Sequence, residues 1–252
     1  MAVTIYSKED QAKGAFDGGR ILENKPIGFP QDGGRMKPVS VLFYWAHAWS
    51  PEGGLIGEHP HRGFEIVSYV LEGEIQHYDS QLKGWKSLYA GDAQIIRAGN
   101  GITHAEKLLP GSAIFQIWFD PGLEASISRP ASYNDYPKTS FPVTNQDGAT
   151  HTRVCGPDAP MDMKTPGVSM EEILAPAGWQ TRLELNGQAA GIFLLAGTMK
   201  ADGQVCNEGD FILAGDQPSV SVETDAPCRI FVLRFPPQVE YKLYKELVAS
   251  AQ

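Results

Sequence analysis

The chain is 252 residues long, 42% hydrophobic and 20% charged, with a formal net charge of −9. That length allows one large domain or two of ordinary size, with enough apolar residues for a true core. The acidic balance argues against a nucleic-acid surface, which needs a basic patch, and no apolar run approaches the ~18 residues of a membrane span.

The opening MAVTIYSKEDQAKGAF lacks the basic-then-apolar order of a secretion signal. From about residue 38 to 120 the chain reads as strand after strand: VSVLFYWAHAW, FEIVSYVLEGEIQHYDS, KSLYAGDAQIIRAG and SAIFQIWFD. These runs are rich in β-branched and aromatic residues and are broken by turns such as Glu72-Gly73 and Gly99-Asn100-Gly101. Closely spaced antiparallel strands of this kind predict a small barrel or sandwich. The segment PGLEASISRPASYNDYPKTSFPV gains Pro and Ser and loses its apolar runs, so residues 123–145 are expected as a linker.

Strands then return in GWQTRLEL, AAGIFLLAGTMKA, EGDFILAGD, PSVSVE and CRIFVLRFPP. An internal repeat shows through: YVLEGEI matches FLLAGTM, AGDAQIIRAG matches EGDFILAGD, and SAIFQIWFDP matches CRIFVLRFPP. The expectation is two copies of one barrel, over residues 1–122 and 146–252. His151, the last histidine, precedes the matched elements and is expected to be solvent-exposed, leaving the second copy without a histidine for a metal. The tail QVEYKLYKELVASA spaces Val239, Leu243, Leu247 and Val248 as a helix would, predicting a short terminal helix that docks on a barrel or a neighbouring domain. Cys155, Cys206 and Cys228 are odd in number and have no CxxC spacing, so free buried thiols are expected. With the unremarkable N-terminus they predict a cytoplasmic protein, or a nuclear one in a eukaryote.

Two short clusters carry the chemistry: His59-Pro60-His61 and His104-Ala105-Glu106. In each, two candidate ligands stand at i and i+2, which a strand aims to one face. Two such strands facing each other would close a cage of three imidazoles and a carboxylate, a donor set suited to one divalent transition metal. An ion that prefers six ligands would keep up to two positions open there. His47 and His77 are expected in structural hydrogen-bonding roles. Trp45, Trp49, Phe64 and Trp118 are expected mostly in the core, with a pocket-lining role as the alternative.

Gly53, His59, His61, Glu65 and Gly73, followed by Gly91-Asp92 and His104, resemble the two motifs of the cupin superfamily. The longer runs HPHRGFEIVSYVLEGEIQHYDS and GDAQIIRAGNGITHAE resemble the signature of the pirin family, over most of residues 35–120. The resemblance implies an all-β bicupin: two antiparallel jelly-roll barrels, a metal in the first and none in the degenerate second. It implies His59, His61, His104 and Glu106 as ligands of a single ion, usually iron(II), although other divalent metals suit the same donors. The general cupin pattern would instead nominate Glu65. Glu106 is favoured because it shares strand parity with His104, whereas Pro60 and Gly63 disturb the alternation between His61 and Glu65. The resemblance further implies a dioxygenase acting on quercetin or a related flavonol, with a small aromatic substrate, O2, and Glu106 as general base. The alternatives are a redox-sensing regulator that binds protein partners according to metal state, and a barrel whose metal is structural.

Overall fold

Alternating apolar runs and turn glycines leave little room for helix, and nearly every element is a strand. The computed structural model describes residues 3–250 and divides them into two units. The C-terminal unit takes the chain up to Asp10, Phe141–Asp162 and Pro166–Gln238, and so includes the first strand, β1 (Thr4–Tyr6). The N-terminal unit takes Gln11–Ser140, Met163–Thr165 and the chain from Val239 on.

In the N-terminal unit the strands are β2 (Ala12–Phe16), β3 (Ile21–Ile27), β4 (Leu42–Ser50), β5 (Gly54–His61), β6 (Glu65–Glu72), β7 (Glu74–Asp79), β8 (Trp85–Tyr89), β9 (Ala93–Arg97), β10 (Ile102–Leu108), β11 (Ser112–Phe119) and β12 (Ser132–Tyr136). They form a seven-stranded sheet, β12-β9-β6-β11-β4-β3-β2, and a four-stranded sheet, β5-β10-β7-β8. The core between them joins Ile21, Ala48, Val70 and Ile114 of the first sheet to Ile56, Ile75, Leu88 and Leu108 of the second. Helix α1 (Leu123–Ser126) follows β11, and the terminal helix is α2 (Tyr244–Ser250). The terminal helix is shorter than the periodicity predicts, and it docks as expected. The Tyr244 ring packs on Phe43 and Phe64, and its backbone N–H donates to Asp120 Oδ2 at 2.6 Å. The tail's last residues lie outside the described ones.

The C-terminal unit repeats the plan with β13 (Val143–Gln146), β14 (Ala149–Cys155), β15 (Ser169–Ala175), β16 (Gln180–Glu184), β17 (Ala189–Ala196), β18 (Thr198–Ala201), β19 (Gln204–Asn207), β20 (Phe211–Ala214), β21 (Ser219–Thr224) and β22 (Cys228–Phe235). Its sheets are β1-β20-β17-β22-β15-β14-β13 and β16-β21-β18-β19. The matched turns adopt the same geometry. Gly73 and Gly197 both take left-handed backbone, φ 68 and 91. Asp92 Oδ2 accepts the N–H of Tyr89 at 2.9 Å, and Asp210 Oδ2 that of Asn207 at 2.8 Å.

The boundaries differ from those predicted. The supposed linker carries α1, β12 and β13, and β12 pairs along β9 from Ser132↔Arg97 to Tyr136↔Ala93. Strands β2 and β3 precede the first predicted strand. His151 lies on β14 within the C-terminal unit, and its side chain is 11% exposed, so the second copy does hold a histidine. Among the described residues, no helix is long and apolar enough to cross a membrane. Cys155, Cys206 and Cys228 are buried and form no disulfide among the described residues.

Candidate metal centre

Strands β5 and β10 pair antiparallel, with Ile102 opposite His61 and His104 opposite His59. Parity therefore points His59, His61 and His104 to one face of the small sheet. The register slips between His104 and Glu106 on the β5 side, yet stays even on the β7 side, where His104 faces Asp79 and Glu106 faces His77. Directly after this strand the chain reverses at Gly63. It has φ 81, a backbone conformation that favours glycine, and a Cβ there would push on the Leu123 side chain.

The three imidazoles converge through their Nε2 atoms. His104 Nε2 lies 2.8 Å from that of His61 and 3.0 Å from that of His59. Two imidazoles that bind one ion at right angles, with metal–nitrogen bonds of about 2.1 Å, stand about 3.0 Å apart, whereas tetrahedral angles need about 3.4 Å. The spacing thus fits one corner of an octahedron. His59 Nδ1 lies 2.8 Å from the Gly57 carbonyl, which leaves Nε2 as the ligating nitrogen. Burial, and then the charges of neighbouring rings, push His61 and His104 down to about 3. Both are therefore neutral, with lone pairs free for a cation. The Trp118 ring stands edge-on to His61 at 4.7 Å and fixes its plane.

Among the described residues, these three histidines are the group whose ligand-type atoms all lie within 4.8 Å of one another. Glu106 is outside that group, though its charge acts on His61. It is buried, and Ser68 Oγ donates to its Oε1 at 3.0 Å, Gln116 Nε2 to its Oε2 at 2.6 Å. Trp118 Nε1 in turn donates to Gln116 Oε1 at 3.0 Å. Ser68 and Gln116 had no sequence signal, because each reaches Glu106 from a different strand, 38 and 10 positions away. Glu65 is placed elsewhere. Its Oε1 accepts the backbone N–H of Lys164, and its Oε2 accepts both N–H and hydroxyl of Thr165. His77 is buried and bonds Asp79 Oδ2 at 2.9 Å, its ring 5.6 Å from that of His104. Trp45 is core; Phe64 packs on Trp118 beside the cluster. A cavity of about 510 Å3, lined by His61, Arg62, Ser80 and Ile102, opens at the same end of the unit.

The chain is similar to several known proteins. The Pirin family model matches residues 43–119. A Pseudomonas aeruginosa protein provisionally named a quercetin 2,3-dioxygenase is 31% identical over 169 residues, 65% of this chain and 70% of that protein. Pirin-like protein 2 of Arabidopsis thaliana is 35% identical over 135 residues, 50% of this chain, and the match takes in 40% of its own length. Among solved structures, the bacterial pirin YhhW of Escherichia coli in complex with nickel(II) superposes with a TM-score of 0.78 at 20% identity, covering 93% of this chain and 99% of that one.

Proposed function

The chain belongs to the pirin family, and from that premise we propose that it is a mononuclear metal-dependent dioxygenase that opens quercetin or a related flavonol. The observation that carries the reading is the convergence of three imidazoles near a buried carboxylate. We assign iron(II) as the working ion, held by His59, His61 and His104 with Glu106 as fourth ligand. The right-angled nitrogen spacing supports an ion that prefers six ligands over zinc, and the nickel(II) complex of the Escherichia coli relative supports a site open to other divalent metals.

Bound there, the ion supplies Lewis acidity toward a substrate hydroxyl and the redox capacity that O2 chemistry needs. The protein's part is proton handling and positioning. Glu106 takes the proton from the substrate's hydroxyl, and the hydrogen bonds from Ser68 and Gln116 keep its carboxylate in place before and after. Trp118 holds Gln116 and His61 in register with it. The cavity of about 510 Å3 is within the usual range for a small-molecule site and admits a flat aromatic molecule next to His61. The deprotonated flavonol then takes up O2, both oxygen atoms entering the ring-opened ester as one ring carbon leaves as carbon monoxide, and the proton on Glu106 returns to the product.

The test is oxygen uptake by ferrous-loaded protein with quercetin, beside Glu106→Gln. Uptake should match quercetin loss mole for mole, and the variant should lose about 10²–10⁴-fold in rate while still folded. No uptake by protein shown to hold iron would overturn the enzyme and favour the redox-sensing alternative.

A further inference from the structure

The C-terminal unit contains a cavity of about 400 Å3 that the proposed reaction does not use. Its polar wall comes from neighbouring strands. His151 on β14 pairs opposite Ile173 of β15, a core residue, and Glu171 stands two residues from Ile173, so His151 and Glu171 both face inward. Arg234 sits at the end of β22, where the matched strand of the N-terminal unit carries Trp118. The end of the fold that holds the histidine cluster in one copy thus holds a different polar cluster in the other.

That cluster is closely connected. Arg234 Nη1 donates to Glu171 Oε1 at 2.6 Å, and His151 Nδ1 lies 3.0 Å from Glu171 Oε2. Burial pushes the Glu171 carboxyl up, but His151 and Arg234 together hold it at about 2, so it stays charged. With Nδ1 turned to the carboxylate, Nε2 is the imidazole nitrogen left for a partner. It is buried and has no hydrogen-bond partner among the described residues, and the same holds for Nε1 of Trp179, whose ring lies 6.2 Å from the His151 ring. A hydroxyl both donates and accepts, so a hydroxylated ligand can satisfy both nitrogens. The Arg182 side chain, exposed on the same cavity, makes no hydrogen bond or ion pair among the described residues. Buried Leu183 adds apolar wall. Exposed Glu184 and Asp147 also line the cavity and disfavour a polyanion.

We propose that this cavity is a second ligand site, distinct from the metal centre, for a small hydroxylated monocarboxylic acid. The carboxylate pairs with Arg182 and the remaining donors of Arg234, a hydroxyl meets His151 Nε2 and Trp179 Nε1, and the carbon skeleton rests on Trp179 and Leu183. This reading is independent of the dioxygenase.

The experiment is calorimetric titration of the full chain with 3,4-dihydroxybenzoate, and with benzoate and catechol as the halves of that probe. One site per chain is expected, with each half binding at least about tenfold more weakly. Arg182→Glu, at an exposed position and checked for folding by circular dichroism, should weaken the whole probe by about tenfold or more. His151→Gln should remove the preference for 3,4-dihydroxybenzoate over benzoate. His104→Ala, which disables the metal centre, should leave binding unchanged. No saturable binding up to about 10 mM, an affinity indifferent to Arg182→Glu, or loss of binding in His104→Ala would each overturn the proposal.

Discussion

Substitution of Glu65 separates a structural carboxylate from a metal ligand. The side chain is 1% exposed and accepts from Lys164 N at 2.7 Å, Thr165 N at 2.7 Å and Thr165 Oγ1 at 2.6 Å, with Arg97 Nε 3.8 Å away. In Glu65→Gln one oxygen can still serve Thr165. The new amide, however, meets the Lys164 N–H donor to donor and leaves it unpaired. Losing one charge-assisted bond and the charge assistance of two others costs about 3–5 kcal/mol in total. For a chain of this size that is a fall in Tm of roughly 6–20 °C. Scanning calorimetry reads the stability, and elemental analysis of the folded fraction reads the metal. The expected result is a large loss of stability with metal stoichiometry unchanged. A variant of near-normal Tm that no longer holds metal would refute the reasoning and make Glu65 the ligand.

Removal of the central ring should be more selective: His104→Ala deletes the Nε2 that stands 2.8 and 3.0 Å from the other two, and metal affinity should drop more than about 100-fold by competition with a chelating dye. The metal-free protein should weaken in acid. His61 and His104 titrate at about 3 when folded against an ordinary 6.5, so the unfolded chain binds protons first. Stability is then flat above pH 6.5 and falls between 6.5 and 3 by about 1.4 kcal/mol per pH unit for each ring, a slope that urea midpoints would reveal; constancy across that window contradicts it. Glu171 follows the same rule lower on the pH scale. Its value of about 2 lies below the ordinary 4.5, so its pairing stabilises fully above pH 4.5 and is lost between 4.5 and 2. Arg234→Met should therefore move acid unfolding to higher pH, as followed by circular dichroism.

The two histidine-bearing clusters were legible because strand parity is local: a spacing of two residues places both donors on one face wherever the strand lies. The repeat was legible for a similar reason, since Gly73 with Gly197 and Asp92 with Asp210 mark the same turns. Long-range partners were not. His151 reads as a stray polar residue until Glu171 and Arg234, 20 and 83 positions further along the chain, close around it. Strand β12, SYNDY, carries no apolar run because it is a half-exposed edge strand, so its Pro- and Ser-rich surroundings suggest a linker. Strand β3 hides its pattern behind Pro26 and the register slip between Asn24 and Ile27. The carboxylates Glu65 and Glu106 differ in neighbours, not in local sequence: one holds residues 164–165, and the other is held by Ser68 and Gln116 beside the imidazoles.

Anomalous diffraction from ferrous-loaded crystals, recorded at the iron edge, tests the metal centre most directly. The account predicts one peak per chain, within about 2.3 Å of the Nε2 atoms of His59, His61 and His104, with a Glu106 oxygen completing the set. No peak at that point, or iron bound through Glu65 or another group instead, would contradict it.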